Sequence, residues 1–352
     1  MIMNPYQVNA ETIPKGTWAF CLTSKRYDTE GRPHSKLVRF GYILANVATH
    51  LQRLCDKPRG RNGRCQLLKF ENSNIIPLDE SSSKALEDTF KEVCARLHGD
   101  PQARGLWGKD GAEIQEATPV IGAPIPFNMI YGVVPLFGIV TSGAHLNAFH
   151  GEGENMIIWL AQRGASKSSY PNCFDQIVAG GNDGRQDQTP LDIILREAKE
   201  EVKDDQLHQT LIKAKGPDTV ITYHVFNPTA PGTAATIAAG KIEPGIRYVF
   251  DYEVRDPNHV FKKNEDDIAH IKSYTVTQVK DMLRQGQFKP NCGLVMLNFL
   301  VRKGRIGDDD PLYQETERGL EFPYIWKEGI ACDEESYSSF QRQERRHDAA
   351  YE

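Results

Sequence analysis

With 352 residues the chain can bury a sizeable core and has room for two domains. Its formal net charge of −5, from 42 Lys and Arg against 47 Asp and Glu, argues against a nucleic-acid-coating role, which needs clustered cations to release counterions. No apolar run reaches the ~18 residues of a membrane span, the N-terminus lacks a basic-then-apolar signal layout, and seven cysteines without zinc-like or CxxC spacing read as reduced thiols of a cytoplasmic protein, a nuclear location staying open.

In chain order, the first part reads as a smaller α+β domain over residues 1–126. Short β-like stretches are expected at 18–23 and 65–70, and helices at 40–54 and 83–97. A basic run at 57–64 (Lys-Pro-Arg-Gly-Arg-Asn-Gly-Arg) is either a phosphate-attracting patch or a solvated loop. Residues 101–108 are turn-rich, and the prolines of 123–126 hold that segment extended. A second domain spans 127–329. From residue 330 to 352 the chain is charged and serine-rich, the composition of a disordered tail.

In the second domain, strands are expected at 156–162, 176–179, 220–225 and 246–252, with late helices at 276–285 and 291–301. Asn291, directly after Pro290, is the expected cap of the last helix. That helix is apolar nearly all round, so it should be buried.

Between these strands lies the most informative stretch, Arg196-Glu-Ala-Lys-Glu-Glu201, a short way after Gly180-Gly181. On a helix turning about 100° per residue, Glu197, Glu200 and Glu201 share one arc, beside an apolar stripe of Leu191, Ile194, Leu195, Ala198 and Val202. Like charges at these spacings repel, so the cluster reads either as a solvated acidic face or as a seat for a hard divalent cation. Thr189-Pro190 is a good helix start. The preceding β-branched run and glycine-rich loop would let backbone N–H groups approach a phosphate.

This unit resembles the Nudix box, Gly-x5-Glu-x7-Arg-Glu-U-x-Glu-Glu-x-Gly-U. Arg196, Glu197, Ala198, Glu200 and Glu201 match in register. Gln188 stands where the first Glu belongs, Gly181 is one residue too far from it, and Lys203-Asp204 replace the closing Gly-U, so the helix is expected to run on to about residue 205.

A longer stretch, about 127–326, is similar to the Nudix branch related to the N-terminal part of fungal thiamine pyrophosphokinase. The matching segments include Gly143-Ala-His-Leu-Asn147, Ile158-Trp-Leu-Ala-Gln-Arg163, Lys167, Asp175-Gln-Ile-Val-Ala-Gly-Gly181, Tyr248-Val-Phe-Asp-Tyr252, Asp266-Asp-Ile268 and Phe288-Lys-Pro-Asn291. Asn172 stands where that branch favours Gly. The resemblance implies an α/β/α sandwich with a mixed sheet. It also implies metal-dependent hydrolysis, with Mg²⁺ or Mn²⁺, of a small organic diphosphate: thiamine diphosphate or its damaged analogues.

By the same resemblance, Glu197, Glu200 and Glu201 are catalytic as the metal ligands, with one of them also a candidate base. Asp267 is the distal catalytic carboxylate, with Glu265 and Asp266 as fallbacks. Gly180, Gly181, Arg163, Lys167 and Lys289 are candidate phosphate-binding residues, and His145 and Asn147 bind substrate or hold structure. Trp159, Tyr170, Phe149 and Tyr252 are candidate aromatic walls. The expected partner is a small-molecule diphosphate, with no nucleic acid and no membrane; nothing specifies an oligomeric state. Only about 22 residues follow Ile330, fewer than the ~50 of a domain, so no kinase activity is expected. The other readings are a Nudix hydrolase of nucleoside diphosphate derivatives and a non-catalytic binding protein of that fold. The intact Arg196–Glu201 core disfavours the second.

Overall fold

The computed structural model describes residues 17–27, 33–55, 67–100, 117–121, 123–167, 170–226, 242–307 and 309–312. The basic run at 57–64, the turn-rich stretch at 101–108 and the tail at 330–352 lie outside them.

The N-terminal module begins with β1 (Trp18–Tyr27), β2 (Pro33–Ile43), α1 (Ala45–Cys55), β3 (Leu68–Glu71), β4 (Asn74–Pro77) and α2 (Ser83–His98). The strands form one sheet in the order β2-β1-β4-β3. The expected helix at 40–54 is shorter at its start. Residues 40–43 extend β2 instead, with Gly41 opposite Phe20 and Ile43 opposite Trp18. The Ser82 hydroxyl caps α2 by accepting from Ala85 N–H, and Leu86, Phe90, Val93 and Leu97 on one stripe are buried.

A hairpin of β5 (Ala117–Pro119) and β6 (Asn128–Ile130) follows, then α3 (Val134–Phe137). Phe127, Met129, Val133, Val134, Leu136, Phe137 and Ile139 pack into the same core as Phe20 and Phe90. Phe137 meets both rings edge-on, at 5.3 and 5.2 Å. The division expected at 126/127 therefore cuts through one hydrophobic core, and the change of core falls near residue 140.

The second unit comprises β7 (Thr141–His150), β8 (Ile157–Arg163), β9 (Phe174–Asp175), β10 (Val178–Gly181), α4 (Pro190–Glu201), β11 (Val202–Lys203), α5 (Asp205–Leu211), β12 (Thr219–Phe226), β13 (Ile242–Glu253), β14 (Lys262–Lys263), β15 (Ile268–Thr275), α6 (Val276–Arg284) and α7 (Pro290–Arg302). Its sheet runs β12-β13-β7-β8-β15, with β10 on β7 and β9 on β8. The β13–β7 pair is parallel and its neighbours are antiparallel, so the sheet is mixed. Alternation along β7 divides the layers. Ala144, Leu146 and Ala148 face α4 and α5, whereas Phe149 packs with α6 and α7. Helices cover both faces, as the α/β/α reading expects.

Along β7, residues 143–146 pair with β10 and residues 148–150 pair with β8. The chain crosses the resulting split at Gln176-Ile177. Helix α4 starts at a capping box between Thr189 and Asp192, with Pro190 in its first turn. It does not run on to 205. Val202 is already extended, Val202 and Lys203 pair with Lys263 and Lys262, and Asp204 caps α5. Lys289 and Pro290, not Asn291, open α7.

Candidate metal and phosphate site

Two of the three box glutamates, Glu197 and Glu201, reach from α4 onto β10. Glu201 Oε2 accepts a 2.8 Å hydrogen bond from the Ala179 N–H of β10. Glu197 lies over Gly180, where any side chain would overlap it. Glu200 is the exposed member, 3.4 Å from Arg196.

Arg196 fixes this arrangement. Its guanidinium donates to Glu197 Oε1 (2.7 Å), to the Gly181 carbonyl (2.7 Å) and in a fork to both oxygens of Asp187 (3.1 and 2.8 Å). Asp187 is buried, whereas Gln188, where the resemblance expects a carboxylate, is exposed. The charge that complements Arg196 thus comes one residue earlier. The retained spacing from Gly181, with five residues between it and Asp187, was the sequence signal for it.

Asp267 is half exposed and pairs with Lys167 at 2.7 Å, which with its hydrogen bond holds its pKa below the usual range. Glu265, one of the fallbacks for the distal carboxylate, acts electrostatically on both Glu197 and Glu201. The connection is short, because Asn264 donates from its backbone to the Glu201 carbonyl and from its side chain to the Lys199 carbonyl, each at 2.8 Å.

Burial, outweighing the Arg196 cation and reinforced by Glu200 and Glu265, pushes Glu197 up to about 7. Burial, then Glu197 and Asp175, raises Glu201 well above the carboxylate range. Glu265 is also raised, first by burial and then by Glu200 and Asp267 against Lys167. Glu200 and Glu265 thus act on Glu197, and Glu197 and Glu265 on Glu201, while Arg196 opposes the rise at Glu197. A hard divalent cation takes carboxylate oxygens and would relieve this repulsion, although among the described residues the cluster with ligand atoms already within 4.8 Å of one another is His145, Asp175 and Cys292.

Cations flank the group unequally. Arg163 and Lys167 both act on Glu265. Arg163 also reaches Asp175 at 3.4 Å and donates to the Tyr170 carbonyl. Lys289 sits apart, among Asp175 and Cys292; burial opposes its charge, but these neighbours outweigh that and raise its pKa.

His145 and Asn147 lie on the other face of β7 from the box glutamates. His145 Nδ1 is 2.8 Å from Gln176 Oε1, and Gln176 in turn donates to the Cys292 carbonyl. Burial lowers the His145 pKa to about 3, so it is neutral. Asn147 donates to Asp251. His145, Asp175 and Cys292 bring three potential ligand atoms within 4.8 Å. Arg247 and Lys289 both act on His145, however, and Asp175 is engaged with Arg163, so the surroundings disfavour a further cation.

Three of the four aromatic candidates are core residues. Phe149 packs on Phe299, Trp159 packs on Phe261 and donates to the His259 carbonyl, and Tyr252 is buried. Tyr170 is half-buried. Near it, Asn172 has φ of 63°, a backbone that glycine adopts freely and asparagine tolerates, which accounts for Asn where the resembled branch favours Gly.

No family model matches the chain. It is 28% identical over 204 residues to an uncharacterised protein of Saccharomyces cerevisiae, covering 55% of this chain and 57% of that one. It is 27% identical over 291 residues to Nudix hydrolase 20, chloroplastic, of Arabidopsis thaliana, covering 80% and 70%. With Arabidopsis Nudix hydrolase 24, chloroplastic, it shares 25% over 210 residues, covering 59% and 53%. The chain thus spans little more than half the length of two of these relatives. Among solved structures it aligns with the Nudix domain of Shewanella oneidensis NrtR, determined with ADP ribose. That alignment has 13% identity, covers 48% of this chain and 88% of that one, and has a TM-score of 0.28, too low to inform the reading.

The Arabidopsis relatives are both named Nudix hydrolases. Their chloroplastic names do not fit the cytoplasmic expectation well. Among the described residues no helix is long and apolar enough to cross a membrane.

Proposed function

We propose that this chain is a divalent-metal-dependent hydrolase of a small organic diphosphate, with thiamine diphosphate or its oxidised analogues as substrate and the monophosphate and phosphate as products. The observation that carries the reading is Glu197 set over Gly180 and Glu201 bonded to the Ala179 N–H, with Glu200 and Glu265 acting on Glu197 and with Arg163 and Lys167 acting on Glu265. A divalent ion held by these carboxylates supplies shielding of the phosphate oxygens and a lowered pKa for water.

The remaining work falls to the chain's own groups. Glu201, fixed by the Ala179 N–H, and Glu197, fixed by Arg196, hold their oxygens in place before substrate arrives. On this reading Glu265, whose charge acts on Glu197 and Glu201, accepts a proton from the attacking water. Water oxygen bonds to the terminal phosphorus, the bridging P–O bond breaks, and the monophosphate leaves with that oxygen. Arg163 and Lys167 meet the charge on the departing group.

The choice of thiamine diphosphate rests on the motifs spread over 127–326, several of them outside the box. The burial of Phe149, Trp159 and Tyr252 leaves Tyr170 as the remaining aromatic candidate for the organic moiety. Phosphate release from thiamine diphosphate, its oxo form, ADP-ribose and dinucleotides, assayed side by side, tests the reading. Preference for the thiamine compounds supports it. Preference for the nucleotides moves the chain to the nucleoside diphosphate class. No release from any compound, with metal present, favours a binding protein.

A further inference from the structure

The loop leading into α4 is held from the N-terminal module. Gly184 donates its N–H to the Ala117 carbonyl of β5 at 3.3 Å. A Cβ on Gly184 would stand 2.0 Å from Asn128 Oδ1 and 3.0 Å from Pro119 Cδ, so the loop backbone lies flush against both strands of the β5–β6 hairpin. Gly184 is absent from the positive-φ glycines. Close approach, not backbone freedom, is therefore what requires glycine there. The hairpin is held in turn by α2: Glu87 Oε1 accepts from the Asn128 backbone N–H at 3.0 Å and from its side-chain amide at 3.4 Å.

From Gly184 the connection continues without a gap. The neighbouring Asp183 N–H donates to Asp187 Oδ2 at 2.8 Å, and the Gln186 and Asp187 N–H groups both return to the Asp183 carbonyl at 2.9 Å. The same Asp187 carboxylate takes the Arg196 fork, and Arg196 holds Glu197. On its other side the loop is tied to β7, where Asn182 donates from its backbone to the Ser142 carbonyl and from its side chain to the Ser142 hydroxyl. Asp187 thus joins the loop that meets the hairpin to the box helix.

We propose that the β5–β6 hairpin is a positioning element of the carboxylate centre, with Glu87 and Asn128 seating Gly184 so that the Asp183–Asp187 turn presents Asp187 to Arg196 and fixes Glu197. This assigns the N-terminal module a part in holding the metal site. It rests on the reading of Glu197 as a metal ligand.

The test is Mn²⁺ affinity of the full chain, measured by the electron paramagnetic resonance of free Mn²⁺, in Glu87→Ala, Glu87→Gln, Gly184→Ala, Cys94→Ala and Glu197→Gln. Glu87→Ala and Gly184→Ala should weaken Mn²⁺ binding about fivefold or more, within the range of coupling through packed networks. Glu87→Gln keeps an acceptor oxygen and should stay within about twofold of the parent. Cys94→Ala opens a cavity in the same core, on α2 about two turns beyond Glu87, and should lower thermal stability without moving Mn²⁺ affinity.

Should Gly184→Ala fail to fold, the Glu87→Ala and Glu87→Gln pair decides alone. Parent-like Mn²⁺ binding in Glu87→Ala and Gly184→Ala, with binding lost in Glu197→Gln, overturns the positioning role and leaves the carboxylate site standing. Equal weakening in Cys94→Ala and Glu87→Ala also overturns it, by showing general loosening. Parent-like binding in Glu197→Gln defeats the metal-site reading, and the positioning role falls with it.

Discussion

Glu197 rests on the bare Cα of Gly180: a Cβ built on that glycine would stand 1.7 Å from the Glu197 Cδ. The contact joins the end of β10 to the box helix and leaves the carboxylate one place to sit. Gly180→Ala should displace Glu197 and disturb its 2.7 Å bond to Arg196, while alanine suits the strand backbone. A fall in kcat/KM of at least about tenfold, ~1.4 kcal/mol, is expected with the secondary structure retained. Circular dichroism and steady-state kinetics check both halves.

Glu201→Gln separates stability from activity. The amide keeps the shape and an acceptor for the Ala179 N–H, but removes a buried charge that its neighbours repel. Turnover should fall by orders of magnitude. Without metal, the variant should unfold at a higher temperature than the parent. Turnover within about twofold of the parent would remove Glu201 from the centre.

The distal carboxylate is decided by a pair of variants. Glu265→Ala should lower turnover at least about tenfold, because Glu265 acts on Glu197 and Glu201. Asp267→Ala removes only a half-exposed partner of Lys167, and surface changes of this kind stay within ~0.5 kcal/mol. Added Mn²⁺ should partly restore Glu265→Ala if the loss is metal affinity, and should not if the loss is proton acceptance. The opposite ranking of the two variants would return the role to Asp267.

The box and its helix were legible in sequence because their signals are local: a hydroxyl cap, a proline, an apolar stripe and three glutamates at helical spacing. The distal carboxylate was not, since Glu265, Asp266 and Asp267 are adjacent acids and the sequence alone does not say which of them acts on Glu197 and Glu201. The strand β7 was hidden by its composition. Gly143, Ala144, His145 and Asn147 are poor strand formers, and pairing on both edges makes the strand. That alternation also sends His145 and Asn147 away from the glutamates, a consequence that motif matching cannot show. The boundary near 140 was hidden too, because the residues after the 123–126 prolines are apolar enough to join either core.

A pH dependence follows from the raised carboxyls. Glu197, at about 7 against an ordinary 4.5, and Glu201, higher than its ordinary value, bind protons more tightly in the folded chain than in the unfolded one. Their contribution to stability is therefore greatest at low pH and declines as pH rises from about 4.5 through 7. Urea unfolding of the metal-free protein at pH 5 and pH 7.5 should show this fall after allowance for other groups. Saturating Mg²⁺ should reduce it, because the ion favours the ionised forms. Glu201→Gln should reduce it without metal.

The most direct measurement is inorganic phosphate release from thiamine diphosphate by the parent protein and by Glu201→Gln, each with Mg²⁺ and after chelation. Release by the parent that requires the metal, and falls by orders of magnitude in Glu201→Gln, is the predicted result. Release that survives chelation, or that Glu201→Gln supports at the parent rate, would contradict a metal-dependent carboxylate centre on α4.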